Sequence, residues 1–225
     1  MIWMYLTRME LDLRRKKTML AFANRRLFHG AVESAFEGER KRRLWRIDRL
    51  GNTSYLLIVS EDKPNLKSAF EQFGPYQKEA YWESKQYDKL FERIENESTW
   101  QFRLTANPTV SSSKDRSKSN SQKQDKTETK RGSVYAHNVE RYQREWIKKK
   151  AEKNGFCIED ENFAVLQSQW MQFTKREEGS RVSFISVTYE GILTVTDKEA
   201  FIKALTEGIG REKAYGMGML TIMKI

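Results

Sequence analysis

Along residues 3–13 apolar and polar side chains alternate among good β-formers, the pattern of a strand with one buried face. The basic run Arg14, Arg15, Lys16, Lys17 reads as a loop after it. Over residues 25–37 the period changes. Leu27, Phe28, Ala31, Val32, Ala35 and Phe36 recur at spacings of three and four, which predicts a helix capped by Asn24 and ended by Gly38. Alternation returns at 43–49 and 54–60, and Leu50-Gly51-Asn52-Thr53 between them carries turn chemistry, so a hairpin is expected. Residues 64–73 predict a second helix with Pro64 in its first turn, and 81–87 a closing strand. Strand, helix, strand, strand, helix, strand is the ferredoxin-like order.

The order then repeats. Residues 100–106 form a strand pattern, and 135–153 a helix with Val139, Tyr142, Trp146 and Ile147 on one side, basic residues around the rest, and Gly155 as its stop. Two strands, 163–174 and 181–196, meet at a tip of Glu177, Glu178, Gly179 and Ser180; a helix at 197–207 and a strand at 219–223 follow. The predicted fold is α+β, two tandem ferredoxin-like domains over 1–96 and 97–225. Residues 110–132 are rich in Ser, Lys, Gln and Asp, which offers too little burial to offset ordering entropy, and a mobile basic loop is expected there.

Charge narrows the partner. A net +10 favours a polyanion, because each Lys or Arg that neutralises a phosphate releases condensed counterions. Nucleic acid leads; an anionic membrane ranks below it, since no amphipathic anchor is found. No run approaches the ~18–20 apolar residues that cross a bilayer, and the first residues lack the pattern of a signal peptide. A cytoplasmic protein with no membrane attachment is expected. One cysteine, Cys157, excludes an internal disulfide, and two histidines are too few for a Cys/His zinc site. A Walker loop and a dinucleotide-binding GxGxxG are both absent. Neither a metal nor a small-molecule cofactor is expected.

Two readings stand for His29. Either it is an ordinary surface histidine, or it is a proton-transfer group of the kind metal-free RNA cleavage needs. It lies beside the apolar face, three residues after Arg26 and four after Arg25, so the three share one side. Those arginines and the helix N-terminus disfavour the imidazolium, so a neutral ring is expected in the free protein. His137 reads as structural. Gly208, Gly210, Gly216 and Gly218 surround Arg211, Lys213 and Tyr215. That spacing suits a loop whose backbone amides approach phosphate, and it equally suits a flexible connection. Lys175 and Arg176, flanking the hairpin tip, read as an RNA contact or as a solvated turn.

Together MYLTRM, LFHGAVESAF, RLWRID, FRLTANP, YEGILTVTD and GIGREKAYGMGML, in that order over nearly the whole chain, resemble the CasE family of CRISPR RNA-processing endoribonucleases from type I-E systems. The resemblance implies tandem ferredoxin-like domains that bind a CRISPR repeat hairpin and cut precursor RNA at the 3′ base of the stem. It also implies retention of the product beside the other subunits of the Cascade complex. The implied chemistry is metal-independent attack by a ribose 2′-hydroxyl. By this resemblance His29 matches the catalytic histidine, Lys175 and Arg176 the basic hairpin, and Lys213 the glycine-rich RNA-contacting loop. Arg25, Gly208, Gly210, Arg211, Gly216 and Gly218 are assigned with them to RNA binding. The family commonly has a tyrosine three residues before its histidine; here Arg26 stands there. Arginine does not exchange protons near neutrality but stabilises charge on a phosphorane, so an electrostatic catalytic role is expected for it. The alternative is a non-catalytic subunit that only holds the hairpin.

Overall fold

The computed structural model describes residues 3–39, 41–112, 133–174, 179 and 181–225. Strand β1 (Tyr5–Leu11) is central to the first sheet. It pairs antiparallel with β3 (Thr53–Ser60) on one side and β4 (Trp82–Gln86) on the other, and β2 (Leu44–Leu50) completes the order β2-β3-β1-β4. Leu50 pairs with Thr53, which leaves Gly51-Asn52 as a two-residue turn with Gly51 at φ +60°. That is the left-handed backbone such a turn demands.

The helical stretch after β1 differs from expectation. Lys16 and Lys17, expected in a loop, open a helix, α1 (Lys16–Ala23), and the predicted helix is the shorter α2 (Arg26–Glu33). Only Thr18 and Ala21 of α1 are buried, so its sequence carries almost no apolar stripe. Tertiary anchoring holds it instead: Thr18 Oγ1 donates to the Phe73 carbonyl at 3.2 Å. Asn24 bridges the two helices, its Oδ1 accepting from Arg26 N at 3.2 Å. Helix α3 (Lys67–Phe73) starts three residues beyond Pro64, where Asn65 Oδ1 accepts from Lys67 N. A short helix, α4 (Asp88–Phe91), follows β4.

The second sheet runs β11 (Leu220–Lys224), β5 (Thr99–Ala106), β10 (Arg181–Val195), β8 (Phe156–Cys157), with β9 (Phe163–Thr174) also paired to β10. Helices α5 (Glu140–Lys153) and α6 (Lys198–Glu207) complete the unit, and Asp197 caps α6 by accepting from Ala200 N at 3.0 Å. Helix α5 begins later than predicted because the preceding residues pair as a hairpin, β6 (Thr109–Ser112) with β7 (Ser133–Ala136). Its buried face carries Trp146, Ile147 and Ala151, whereas Val139 and Tyr142, expected on that face, are half exposed. The expected loop at 110–132 is thus partly strand, and its residues 113–132 lie outside the described residues, as do Lys175 and Arg176. Among the described residues no helix is long and apolar enough to cross a membrane.

Two tandem ferredoxin-like units result, each with its own apolar cluster. A third cluster, Met4, Leu44, Val59, Tyr87 and Met219, draws on both. Beside it Arg46 of β2 is 2% exposed. Its Nε and Nη2 donate to the two Asp48 carboxylate oxygens at 2.7 and 2.6 Å, and Nη2 also to Thr221 Oγ1 at 2.7 Å. Nη1 donates to the carbonyls of Arg103 and Met219, at 2.9 and 2.7 Å. All five guanidinium N–H groups are therefore used, which is what an enclosed arginine requires. The bonds tie the first sheet to β5 and β11 of the second.

Candidate RNA-cleavage site at the domain junction

Helix α2 buries Phe28, Ala31 and Val32, which turns His29 toward the second unit. The segment it meets, between α6 and β11, is held by its glycines. Gly216 lies against Trp45, and a Cβ there would come within 2.8 Å of the indole; at Gly218 one would meet the Ile209 carbonyl at 2.6 Å. Both residues have positive φ, so no other residue fits without strain. The amides of Gly208, Gly216 and Gly218 donate to the carbonyls of Ala204, Lys213 and Thr105. These three N–H groups are engaged within the protein, and the segment's cationic side chains are Arg211, exposed, and Lys213, half buried.

The result is a short 3-10 turn, residues 213–215, set against α2. The Tyr215 ring meets the His29 imidazole edge to face, with centroids 6.4 Å apart. Tyr215 is in turn fixed by Phe184, stacked at 6.0 Å, and by Phe173 at 5.0 Å. Burial pushes its hydroxyl above the usual tyrosine range, with Glu212 adding and Arg26 opposing. It is a neutral hydroxyl at physiological pH. Arg26 is exposed, whereas Arg25 packs on Phe22 with its Nε enclosed. Burial brings Arg25 down to about 10, which leaves it charged at neutrality.

On its other side His29 opens on a cleft of about 330 Å³ lined by Glu33, Lys41, Arg42, Arg43 and Lys213. Glu33 bonds Arg43 at 3.1 Å and stands 4.0 Å from His29 Nδ1. Lys41 is matched by Asp62 and Glu61 at 3.0 and 3.2 Å. Arg42 and Lys213 form no ion pair among the described residues. Lys213 Nζ instead donates to the Glu207 carbonyl at 2.7 Å. Burial holds its ammonium below the usual lysine range, Arg42 and Lys150 deepen the effect, and Glu207 opposes it. Arg42 and Lys213, cations outside any ion pair among the described residues, leave the cleft suited to an anion.

The structure thus brings His29 and Lys213 to one cleft, with Arg26 at the start of the same helix as His29 and Gly216 and Gly218 packed on Trp45 and Ile209. Gly208 packs on Leu44, Gly210 on Trp146, away from the imidazole. Sequence reading did not single out Glu33, Arg42 or Tyr215 for the site. Tyr215 lies in a segment that was recognised, but its pairing with a histidine so distant in the chain leaves no local signal. His137, read as structural, stacks on Tyr142 at 5.7 Å.

The chain is similar to proteins already characterised. Over 85 residues, 34% of this chain and 40% of the relative, the sequence is 28% identical to the CRISPR-associated endoribonuclease Cse3 of Thermus thermophilus. The matched stretch is therefore well under half the length of that relative. The solved structure of Thermus thermophilus Cse3 bound to an RNA representing a pre-cleavage complex superposes with a TM-score of 0.75. That pair is 22% identical over 98% of this chain and 99% of that one. A chain of a CRISPR RNA-guided surveillance complex, pre-nicking, gives a TM-score of 0.64 at 19% identity, over 98% of this chain and all (100%) of that one. The family model of the CRISPR associated proteins matches residues 4–224, and the chain belongs to that family.

Proposed function

We propose that the protein is a metal-independent endoribonuclease that binds a CRISPR repeat hairpin and cuts precursor RNA at the 3′ base of the stem. One observation carries the reading: His29 stands at the junction of the two units, between the Tyr215 ring and a cleft holding Arg42 and Lys213, neither of them in an ion pair among the described residues. In the proposed step the ribose 2′-oxygen attacks the adjacent phosphorus. The O2′–P bond forms and the P–O5′ bond breaks, giving a 2′,3′-cyclic phosphate and a 5′-hydroxyl. The 2′-hydroxyl loses its proton and the departing 5′-oxygen gains one. His29 carries out one of these transfers.

Arg26 and Lys213 stabilise charge on the phosphorane oxygens. Cations are the groups this chemistry needs, and Glu33, the carboxylate among the described lining residues, is bonded to Arg43. Residues 1–96 supply the proton transfer and 97–225 hold the RNA, with Lys175, Arg176 and Arg211 on the stem and the glycines 208, 210, 216 and 218 shaping the platform under it. Arg25 contributes long-range attraction. The protein acts in the cytoplasm and stays on its product within a multi-subunit complex, a reading supported by its likeness to a chain of a surveillance complex.

The test is incubation with the organism's own repeat RNA in EDTA. Cutting is expected, and it is expected to vanish with His29→Ala or with a 2′-deoxy nucleotide just upstream of the cut. A requirement for magnesium sinks the mechanism. Tight binding without cutting makes the protein a hairpin holder instead.

A further inference from the structure

A second hollow, of about 250 Å³, lies between β6 and α5 and is lined by His137, Tyr142, Trp146, Lys150 and Lys153 among others. Its chemistry is aromatic and basic. The His137 and Tyr142 rings stack at 5.7 Å with 30° between their planes, and Tyr142 is 48% exposed. The pair is held in advance of any ligand: buried Gln143 donates from Nε2 to the His137 carbonyl and to Ser168 Oγ, both at 2.9 Å. Lys150 stands 5.8 Å from the Trp146 ring centroid. Neither Lys150 nor Lys153 forms an ion pair among the described residues. Glu145, the carboxylate of the hollow, is bonded to Arg141 at 3.1 Å.

This hollow and the His29 cleft are joined by the glycine-rich segment. Gly210 packs on Trp146, where a Cβ would lie 3.2 Å from the indole, and three residues on Lys213 lines the cleft. The electrostatics agree, since Lys213 feels both Arg42 and Lys150. Arg42, Lys213 and Lys150 therefore lead away from the imidazole into the hollow, where along α5 the exposed Tyr142 ring lies on the N-terminal side of Lys150 and Lys153 on the other. Cations that follow a backbone, with a ring on which a base can stack, are the parts of a single-strand binding track.

We propose that these groups hold the single-stranded RNA immediately 3′ of the scissile phosphate, which sits at Lys213, with a following phosphate on Lys150 and a base stacked on Tyr142. The proposal rests on the nuclease reading, and it adds a surface that the cleavage chemistry does not require. The downstream strand is the occupant because these cations begin at the cleft that His29 lines. RNA leaving the cut phosphate starts there, whereas the 5′ flank enters on the opposite strand of the stem.

The experiment measures the affinity of the full chain for three repeat RNAs, each with a 2′-deoxy nucleotide at the cut site so that none is cleaved. One ends at the cut, one carries about six extra single-stranded nucleotides on its 3′ side, and one carries them on its 5′ side. The 3′ extension is expected to tighten binding roughly tenfold. Tyr142→Ala should abolish most of that gain, Tyr142→Phe should keep it, and Lys150→Ala should reduce it and lower the salt dependence. Tyr142 is half exposed, so its replacement leaves the fold intact.

Equal affinity for all three RNAs overturns the proposal, as does a gain from the 5′ extension or an equal loss by Tyr142→Ala on every RNA. A Tyr142→Ala protein that keeps its RNA affinities but loses a companion subunit assigns the hollow to a protein contact. Failure of the two readings is distinguishable. If the unextended hairpin is bound, and its all-ribose form is cut in EDTA, while the extension adds nothing, only the track falls. If the hairpin itself is not bound, both fall.

Discussion

Arg42 and Arg46 stand four residues apart and have opposite surroundings. Arg46 is enclosed, with every N–H directed at an oxygen and Asp48 as its counter-charge. Arg42 lies exposed on the lining of the His29 cleft with no counter-charge among the described residues. A net charge of +10 counts both alike. The difference is one of solvation: a cation taken from water must be fully bonded within the protein, and one left incompletely matched at the surface retains its capacity for phosphate.

The largest effects should separate along that line. His29→Ala is expected to slow single-turnover cleavage by about 10²–10⁴-fold with an unchanged circular dichroism spectrum. Arg46→Ala should act on the other axis, removing about 3–5 kcal/mol of stability in urea unfolding, because the enclosed Asp48 loses both its short bonds and keeps only Arg103 Nε, 3.6 Å away. A small loss for Arg46→Ala would break the comparison. Arg26→Ala comes next, with cleavage slowed roughly 10–100-fold and hairpin affinity little changed; a variant as fast as the parent removes Arg26 from the chemistry.

Lys213→Ala should weaken RNA binding about tenfold and lower the slope of log affinity against log salt by about one. Its pH dependence has a defined sign. Burial depresses the Lys213 pKa in the free protein and bound phosphate raises it, so binding takes up a proton between the two values. Affinity should be full below the free-protein value and fall as pH rises through it, earlier than for an ordinary lysine; Lys213→Arg should abolish this early fall. Least of all, Arg42→Ala should change stability by no more than about 0.5 kcal/mol.

Much of the architecture was legible because it rests on periodicity. Strands β1, β3, β5 and β9 and the helix α6 lie close to where alternation and spacing put them, and the Gly51-Asn52 turn was readable from two residues. Helix α1 was not, because its stability comes from contact with Phe73 and not from an apolar stripe. The hairpin of β6 and β7 was hidden because its strands bracket a long polar segment and are short.

At the site, the helical placement of His29 was readable and its surroundings were not. FRLTANP, RLWRID and the glycine-rich segment were read as marks of RNA chemistry, and they are also the parts of the junction. Arg103 offers its carbonyl to Arg46, Trp45 receives Gly216, and Gly208 packs on Leu44. Pairings between residues so distant in the chain have no period to reveal them.

The Arg46 clasp also has a consequence for the order of synthesis. Its acceptors at Met219 and Thr221, and the Lys213 that faces His29, are made long after α2 has left the ribosome. At about 5–20 residues per second, the roughly 180 residues between His29 and Lys213 take about 10–40 s to translate. During that interval the nascent chain carries its imidazole without the wall that Lys213 and Tyr215 form beside it, so under the proposed function an unfinished polypeptide should cleave RNA poorly.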